Sequence, residues 1–285
     1  MPTIAEMLRV ATEILRRSGL AEPRREANSL LGHALGKDRA YLIAHSADAL
    51  ADADAARFRA LVARRARREP LQQITGRQEF YGLDFLVTRD VLIPRPETEM
   101  IVEQALEILP APAPGRFCEV GVGSGCISIA ILHHRPAASA VALDVAPAAL
   151  EVARRNAEKH GVQKRLALVR SDVFAALGDE RFDLVVSNPP YIAARDVAGL
   201  QPEVRDFEPL GALTDGRDGF SLIARIIDET PRFLRPGGFL LMEIGFDQAA
   251  KARAMLAPER WPEAEILPDL QGIPRTVRAR LAGAK

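Results

Sequence analysis

From residue 116 onward, short apolar segments typical of strands alternate with amphipathic segments typical of helices. The predicted strands comprise residues 117–121, 140–144, 166–170, 182–187, 238–244, 263–267 and 276–281. Helices are predicted between them, at residues 124–133, 147–160, 219–233 and 247–256. This order predicts a mostly parallel sheet with helices on both faces, and such sheets bind ligands outside the carboxyl ends of their strands.

The first part of the chain shows helical periodicity and no strand signal. Thr3 and Glu6 match a capping box ahead of apolar residues at helical spacing, and further helices are predicted after Pro23 and over residues 52–68. Two short apolar pieces on either side of Gly82 then predict a β-hairpin. These patterns divide the chain into a helical domain (1–72), a hairpin linker (73–96) and an α/β domain (97–285).

Composition excludes several classes of protein. Hydrophobic residues make up 48% of the chain, and its 38 Lys and Arg balance its 38 Asp and Glu. Disordered chains have a low hydrophobic content or a large net charge, so this composition argues against disorder. The absence of a long apolar run, and the charges near the start of the chain, argue against a membrane span and a signal peptide. We therefore expect a cytoplasmic protein. Cys118 and Cys126 lack the partners of a disulfide framework or zinc site, so we expect reduced cysteines and no metal.

The distribution of charge bears on possible partners. Residues 1–95 hold 16 Lys and Arg against 12 Asp and Glu, and the densest basic run spans residues 64–68. A solvated last turn of a helix is the favoured interpretation of that run, because cations offset the helix dipole there. A weak contact with nucleic acid or the ribosome stays open.

A glycine-rich turn follows the first strand of the α/β domain. Gly121, Gly123 and Gly125 allow a ligand to approach the backbone closely, although a tight turn without any ligand has the same composition. The third glycine of the dinucleotide fingerprint would fall on Cys126. The acid-preceded G-x-G-x-G spacing, beginning at Glu119, instead resembles S-adenosylmethionine (SAM) methyltransferases.

Two acidic residues follow the next two strands. Asp144, at the end of the second strand, is placed to accept hydrogen bonds from ribose hydroxyls, which does not distinguish NAD from SAM. Asp172, followed by the apolar Val173, suits the border of an adenine ring. An N-cap for the following turn explains Asp172 nearly as well.

The loop Asn188-Pro189-Pro190-Tyr191 directly follows an apolar strand. Its prolines restrict φ and remove two backbone donors, which predicts a rigid loop with free carbonyls at the carboxyl edge of the sheet. The Asn188 side chain and the Pro189 carbonyl together suit the two hydrogens of a planar NH₂ group, with Tyr191 against its plane. Positioning and electrostatics would then activate a poorly nucleophilic amide or aromatic amine.

This loop resembles that of methyltransferases acting on amino groups of adenine, cytosine or glutamine. Three more segments narrow the resemblance, namely residues 70–76 (P-L-Q-Q-I-T-G), 79–83 (E-F-Y-G-L) and 92–99 (L-I-P-R-P-E-T-E). Over nearly its whole length, the chain resembles the peptide chain release factor glutamine methyltransferases of the HemK/PrmC family. Glu119 stands where that family usually has Asp, and Val122 where Thr is common.

The resemblance implies a class I SAM-dependent methyltransferase fold: a Rossmann-like, mostly parallel seven-stranded sheet with a small N-terminal helical bundle and a hairpin linker. It also implies N5-methylation of the glutamine in the Gly-Gly-Gln motif of class 1 release factors, with S-adenosylhomocysteine as product. Implied cofactor-binding residues are Glu119, Gly121, Val122, Gly123, Ser124, Gly125, Asp144, Asp172, Val173 and Asn188. Asn188, Pro189 and Tyr191 are implied as catalytic, and Pro190 joins them in binding the substrate.

Two other functions stay open at this point. An amino-methyltransferase acting on adenine or cytosine would share the loop, but the chain lacks a net positive charge and a long target-recognition insertion. A SAM-binding scaffold without catalysis would not need an amide clamp. We expect a monomer whose helical domain binds the release factor, with no direct binding of DNA or membrane.

Overall fold

The computed structural model describes residues 1–283. The last two residues of the predicted domain 97–285 lie outside this range. The chain forms two compact units, one made of residues 1–77 together with 201–207, and the other of residues 78–200 together with residues 208 onward. No helix in the described chain is long and apolar enough to cross a bilayer.

Helices and strands occur in the following order. The first unit begins with α1 (Ile4–Arg17), α2 (Pro23–Leu35), α3 (Arg39–Ala44), α4 (Asp52–Ala66) and α5 (Leu71–Thr75). The chain continues with β1 (Arg77–Phe80), β2 (Leu83–Leu86), α6 (Glu99–Ile108), β3 (Arg116–Val120), α7 (Cys126–His134), β4 (Ser139–Asp144), α8 (Pro147–Lys159), β5 (Leu166–Arg170) and β6 (Phe182–Ser187). It ends with α9 (Pro202–Arg205), α10 (Leu210–Leu213), α11 (Ser221–Glu229), β7 (Leu234–Glu243), α12 (Ala249–Met255), β8 (Glu263–Pro268) and β9 (Pro274–Arg280).

The helical unit has its own apolar core, to which Leu15, Leu30 and Phe58 contribute fully buried side chains. The predicted capping box is present at the start of α1: the Thr3 hydroxyl accepts from the Glu6 N–H at 3.2 Å, and the Glu6 carboxylate accepts from the Thr3 N–H at 2.9 Å. Capping satisfies backbone donors that the first turn leaves free, so it stabilises the start of the helix.

An ionic cluster joins the distant segment 201–207 to these helices. Arg65 is only 5% exposed and pairs with Glu26 and with Glu203, the latter at 2.9 Å, and Arg68 contacts the second Glu203 oxygen at 2.7 Å. A buried guanidinium needs such partners because an unpaired charge is costly away from water. The sequence had assigned this segment to the α/β domain, but its partners lie in the helical unit.

The second unit is built on a seven-stranded sheet with the order β5-β4-β3-β6-β7-β9-β8. Strands β5, β4, β3, β6 and β7 are parallel, and β9 and β8 complete the sheet in antiparallel pairs. The predicted fold class, a mostly parallel seven-stranded sheet, is therefore confirmed. Strands β1 and β2 form a separate two-stranded sheet.

Both faces of the sheet are buried, as its near-continuous apolar strands require. Leu184 and Val186 of β6 point into one apolar core and Val185 into the other, because successive side chains of a strand alternate. Cys118 and Cys126 are buried free thiols that contribute to opposite cores. Burial raises the pKa of both thiols, to about 12 for Cys126, so they remain protonated packing groups.

Several element boundaries differ from the sequence prediction. Helix α7 begins at Cys126 rather than residue 124, because Gly125 is its N-cap in the left-handed conformation. Between β6 and α11, where the sequence predicted a loop, α9, α10 and a 3₁₀ turn at Ala194–Gly199 occur. These helices are too short for hydrophobic periodicity to reveal them.

Candidate active site

The strand order reverses between β3 and β6, because β4 and β5 extend the sheet on one side and β7 on the other. Crevices at such switch points bind ligands at the carboxyl ends of the strands. A cavity of about 360 Å³ lies there, within the size range of small-molecule sites. The predicted site residues that line it are Glu119, Gly121, Val122, Gly123, Ser124, Asp144, Asp172, Val173, Asn188, Pro189 and Pro190.

The glycine turn leaves space where side chains would otherwise project. Gly121 and Gly123 have φ of +79° and +52°, and a Cβ added at either would have no neighbour within 4 Å. Both residues line the cavity, so added side chains would be strained and would occupy the ligand space. Gly125 differs from them, because a Cβ added there would lie 2.9 Å from the Ile129 side chain and Gly125 is not among the cavity-lining residues; its contact with the cofactor stays a prediction.

Asp144 holds the turn in shape with its half-buried carboxylate. One oxygen accepts from the Gly123 N–H at 2.9 Å, and the other accepts from the Ala146 N–H at 2.9 Å. Carboxylate oxygens have further lone pairs, so Asp144 retains capacity to accept from ligand hydroxyls in the cavity.

Glu119 lies at the end of β3 and is 1% exposed. Its carboxylate accepts from the backbone N–H of Ser128 at 3.0 Å and from the Ser128 hydroxyl. Burial nevertheless raises the pKa of Glu119 to about 8, because those hydrogen bonds compensate only part of the desolvation of the charge. Glu119 is therefore an acid in the lining of the cavity that titrates near neutral pH.

Asp172 and Val173 also line the cavity. The Asp172 side chain is exposed and pairs with Arg225 of α11 at 2.7 Å, whereas the following turn is capped by Ser171, whose hydroxyl accepts from the Ala176 N–H. The N-cap interpretation of Asp172 is therefore wrong. Val173 has φ of +48°, an uncommon conformation for a β-branched residue, and such strain concentrates at functional sites.

The Asn188 loop presents acceptors to the same cavity. Nδ2 of Asn188 donates to the Thr98 hydroxyl at 2.9 Å, while Asn188 Oδ1 and the Pro189 carbonyl have no hydrogen-bond partner among the described residues. Both residues line the cavity that the glycine turn also lines. Two acceptors without a partner among the described residues, on two adjacent residues that line the cavity, suit the two hydrogens of an NH₂ group.

Tyr191 is not among the residues that line the cavity. Its hydroxyl donates to Glu243 at 3.2 Å, and its carbonyl accepts from the side chain of Gln248 at 3.0 Å. Burial, with the nearby Glu243 charge, raises the pKa of Tyr191, so the phenol stays protonated. These contacts hold the loop from behind; an approach of the ring to a substrate amide stays a prediction.

The sequence had assigned no role to Thr98, Arg95 or Glu243. Thr98 and Arg95 line the cavity, and Arg95 is held by the buried Glu208 at 2.5 Å. Glu243 lies behind Thr98, whose hydroxyl donates to it at 2.7 Å. The available signal for Glu243 was an acid at the end of an otherwise apolar strand, since a buried carboxylate needs a specific partner.

Comparison with known proteins identifies relatives over nearly the whole chain. Residues 6–76 match the PrmC N-terminal domain, and residues 101–201 match the methyltransferase small domain. The release factor glutamine methyltransferase of Cereibacter sphaeroides is 46% identical over 98% of this chain and 99% of its own. The protein of the same name from Geobacter sulfurreducens is 44% identical over 98% of this chain and 97% of its own.

Solved structures show the same fold. A methyltransferase from Pyrococcus furiosus superimposes with a TM-score of 0.55 at 18% identity. The match covers 78% of this chain and 99% of the Pyrococcus chain. At this identity the likeness supports the architecture alone.

Proposed function

This chain belongs to the family of release factor glutamine methyltransferases, and from that premise we propose that it methylates the N5 amide nitrogen of the glutamine in the Gly-Gly-Gln motif of class 1 peptide chain release factors. The family predicted from the sequence is confirmed by relatives that match over nearly the full length. The observation that carries the proposal is the pair of free acceptors, Asn188 Oδ1 and the Pro189 carbonyl, in the wall of the glycine-turn cavity.

We propose SAM as the methyl donor, because the residues that line the cavity supply the groups that such a donor needs. Gly121 and Gly123 leave open the space that side chains would fill, and Asp144 and Glu119 supply carboxylates for ribose hydroxyls and an α-ammonium group. Asp172 and Val173 would border the adenine, while Val122 and Ser124 would complete the cradle. When bound, SAM supplies a methyl group activated by an adjacent sulfonium.

The chain's own contribution to the reaction is positioning. Asn188 Oδ1 and the Pro189 carbonyl would each accept one amide hydrogen and hold the glutamine nitrogen in a single orientation. As positive charge develops on that nitrogen, the same two oxygens would stabilise it. Pro190 keeps the loop rigid because its φ is restricted, and Tyr191 would lie against the plane of the substrate amide.

The proposal extends to assembly and location. We propose that the protein acts as a cytoplasmic monomer without a metal, that the helical unit binds the release factor, and that neither DNA nor membrane is a partner. The predicted domain bounds, 1–72, 73–96 and 97–285, belong to the same proposal.

A methyl-transfer assay with labelled SAM tests the function. We expect label on a class 1 release factor, and none on a release factor whose motif glutamine is replaced by glutamate, because the acceptor nitrogen is then missing. DNA and RNA serve as parallel substrates. Label on nucleic acid but not on release factor would establish the alternative amino-methyltransferase, and no label on any substrate would indicate a SAM-binding scaffold.

A further inference from the structure

A buried hydrogen-bonded chain runs from Asn188 through Thr98 to Glu243. Asn188 Nδ2 is 2.9 Å from the Thr98 hydroxyl oxygen, which is 2.7 Å from Oε2 of Glu243. Thr98 and Glu243 are each 2% exposed. They lie 145 positions apart in sequence and come from the 3₁₀ turn directly before α6 and from the end of β7. Only the tertiary structure brings them to the Asn188 loop.

With Glu243 ionised, the donor inventory of these groups determines the direction of the chain. A threonine hydroxyl has one hydrogen, and an ionised glutamate only accepts. The Thr98 hydrogen is therefore directed to Glu243, and the Thr98 oxygen must accept from its other neighbour. Asn188 consequently presents its NH₂ group to Thr98 and its Oδ1 to the cavity.

The opposite orientation of this amide would not serve the proposed reaction. A rotation of Asn188 about its last bond would exchange oxygen and nitrogen, so that an NH₂ group faced the cavity. That group has no lone pair available to accept the hydrogens of a substrate amide. The choice between the two orientations thus decides whether the pair of acceptors exists.

We infer that Glu243, acting through the Thr98 hydroxyl, is a positioning residue that holds the Asn188 amide with its oxygen toward the glutamine substrate. This inference rests on the proposed function and deepens it. The second Glu243 oxygen accepts from the Tyr191 hydroxyl at 3.2 Å, so one buried carboxylate supports both ends of the four-residue loop. Thr98 and Glu243 touch no reacting atom in this scheme and act only through Asn188.

Two substitutions at Thr98 separate the hydroxyl from the shape of the side chain. Thr98→Val keeps the branched shape and removes the hydroxyl, so Asn188 loses the partner that sets its orientation. Thr98→Ser keeps the hydroxyl. Thr230→Val is a matched control, because Thr230 is also buried and does not line the cavity, and its hydroxyl donates to the Ile226 carbonyl of the preceding helix α11 at 2.6 Å.

Steady-state methyl transfer to a release factor is measured together with the Kd for SAM. For Thr98→Val we expect kcat/KM for the release factor to fall by about tenfold or more, because a specific buried hydrogen bond is lost. The Kd for SAM should stay within about twofold of the parent value. Thr98→Ser and Thr230→Val should stay within about threefold of the parent. Unchanged kcat/KM in Thr98→Val, or an equal loss in Thr98→Ser, would overturn the inference.

A spectroscopic measurement tests the same inference without any activity. The chain contains three asparagines, Asn28, Asn156 and Asn188, so ¹⁵N-asparagine labelling yields three side-chain NH₂ signals. Asn156 donates to the Leu86 and Ser124 carbonyls and Asn28 to the Arg24 carbonyl, which makes them internal references. We expect the Asn188 NH₂ protons to exchange slowly in the parent and Thr98→Ser, and at least about tenfold faster in Thr98→Val.

Equal Asn188 exchange in the parent and Thr98→Val would contradict the inference, even if methyl transfer by Thr98→Val were reduced. If the parent protein methylated no release factor, the proposed function would fail instead, and the exchange data would still decide whether Thr98 sets the orientation of Asn188.

Discussion

Gly219 packs directly against the carbonyl group of Tyr191: a Cβ added to Gly219 would lie 2.3 Å from that oxygen. The same Tyr191 carbonyl accepts from the side chain of Gln248, which also donates to the Gly219 carbonyl at 2.9 Å. The loop that carries the candidate catalytic residues is thus shaped from behind by a glycine 28 positions later, and several predictions concern such supports.

Gly219→Ala is expected to displace the Asn188 loop, because the new Cβ would clash with the backbone of Tyr191. Backbone atoms cannot move aside as the end of a flexible side chain can. We expect methyl transfer to fall by about tenfold or more and stability to fall by about 1–3 kcal/mol. Gly216→Ala is the matched control, since Gly216 has a similar φ of +75° but no atom within 4 Å of its Cβ position. Activity is measured as kcat, and stability is measured by thermal unfolding. Equal loss of activity in the two variants would contradict this account.

Asn188→Ala is expected to abolish methyl transfer while SAM still binds. Removing a hydrogen-bonding group that stabilises developing charge costs about 10²–10³ in kcat. Calorimetric titration with SAM should remain measurable, because the glycine turn and Asp144 do not depend on Asn188. Turnover equal to the parent would remove the proposed amide clamp, and complete loss of SAM binding would assign Asn188 to the cofactor instead.

Binding of SAM near pH 7 is expected to release a proton from Glu119. The pKa of this buried acid is raised to about 8, so most of the carboxyl is protonated before binding, and an adjacent ammonium group favours the ionised form. Calorimetry in buffers of different ionisation enthalpy measures the proton count. Glu119→Gln should remove that release; an unchanged proton count in the variant would show that Glu119 is not its source.

The same acid predicts a pH dependence of stability in the protein without SAM. Because the pKa of Glu119 rises from an ordinary 4.5 to about 8 on folding, its protonated form favours the native state. Its stabilising contribution is complete below about pH 4.5 and is lost as the pH rises through about 8. Relative to Glu119→Gln, the free energy of unfolding of the parent should therefore fall across this interval in urea titrations. Parallel curves for the two proteins would contradict it.

Glu243 is surrounded by groups with opposing effects. Burial raises its pKa above the ordinary value and the charge of Glu97 adds to the rise, whereas the hydrogen bonds from Thr98 and Tyr191 and the charge of Arg275 oppose it. Only the ionised form forces the Thr98 hydrogen toward Glu243. Protonation would allow the hydrogen-bonded chain to reverse.

Methyl transfer is therefore expected to decline as the pH falls through the raised pKa of Glu243, because a growing fraction of molecules presents the wrong side of Asn188. The measurement is kcat against pH at saturating SAM, in the parent and in Glu243→Gln. The variant has no carboxyl to titrate, so its acid decline should be weaker. An identical acid limb in both proteins would assign the titration to another group.

Much of the fold was predictable because its signals are local. The capping box at Thr3, the left-handed glycines of the turn after β3, and the buried strand before Asn188 each depend on neighbours a few positions away. The relative order of strands and helices then implied a parallel sheet, and the rule for its switch point located the cavity. The sequence prediction failed where short helices follow Tyr191, since these lack a full period of apolar residues.

The amino-acid sequence by itself determined the fold class, the family and many, but not all, of the residues that line the cavity. Only the tertiary structure decided that Glu203 pairs with Arg65 in the helical unit and that Arg225 pairs with Asp172. It alone also brought Thr98 and Glu243 into a hydrogen-bonded chain with Asn188. The physical reason is that a buried polar group must find its partner wherever the chain brings one within about 3 Å. A polar residue within an apolar segment of the sequence indicates that it needs such a partner. Which residue becomes the partner depends on contacts between residues far apart in the chain.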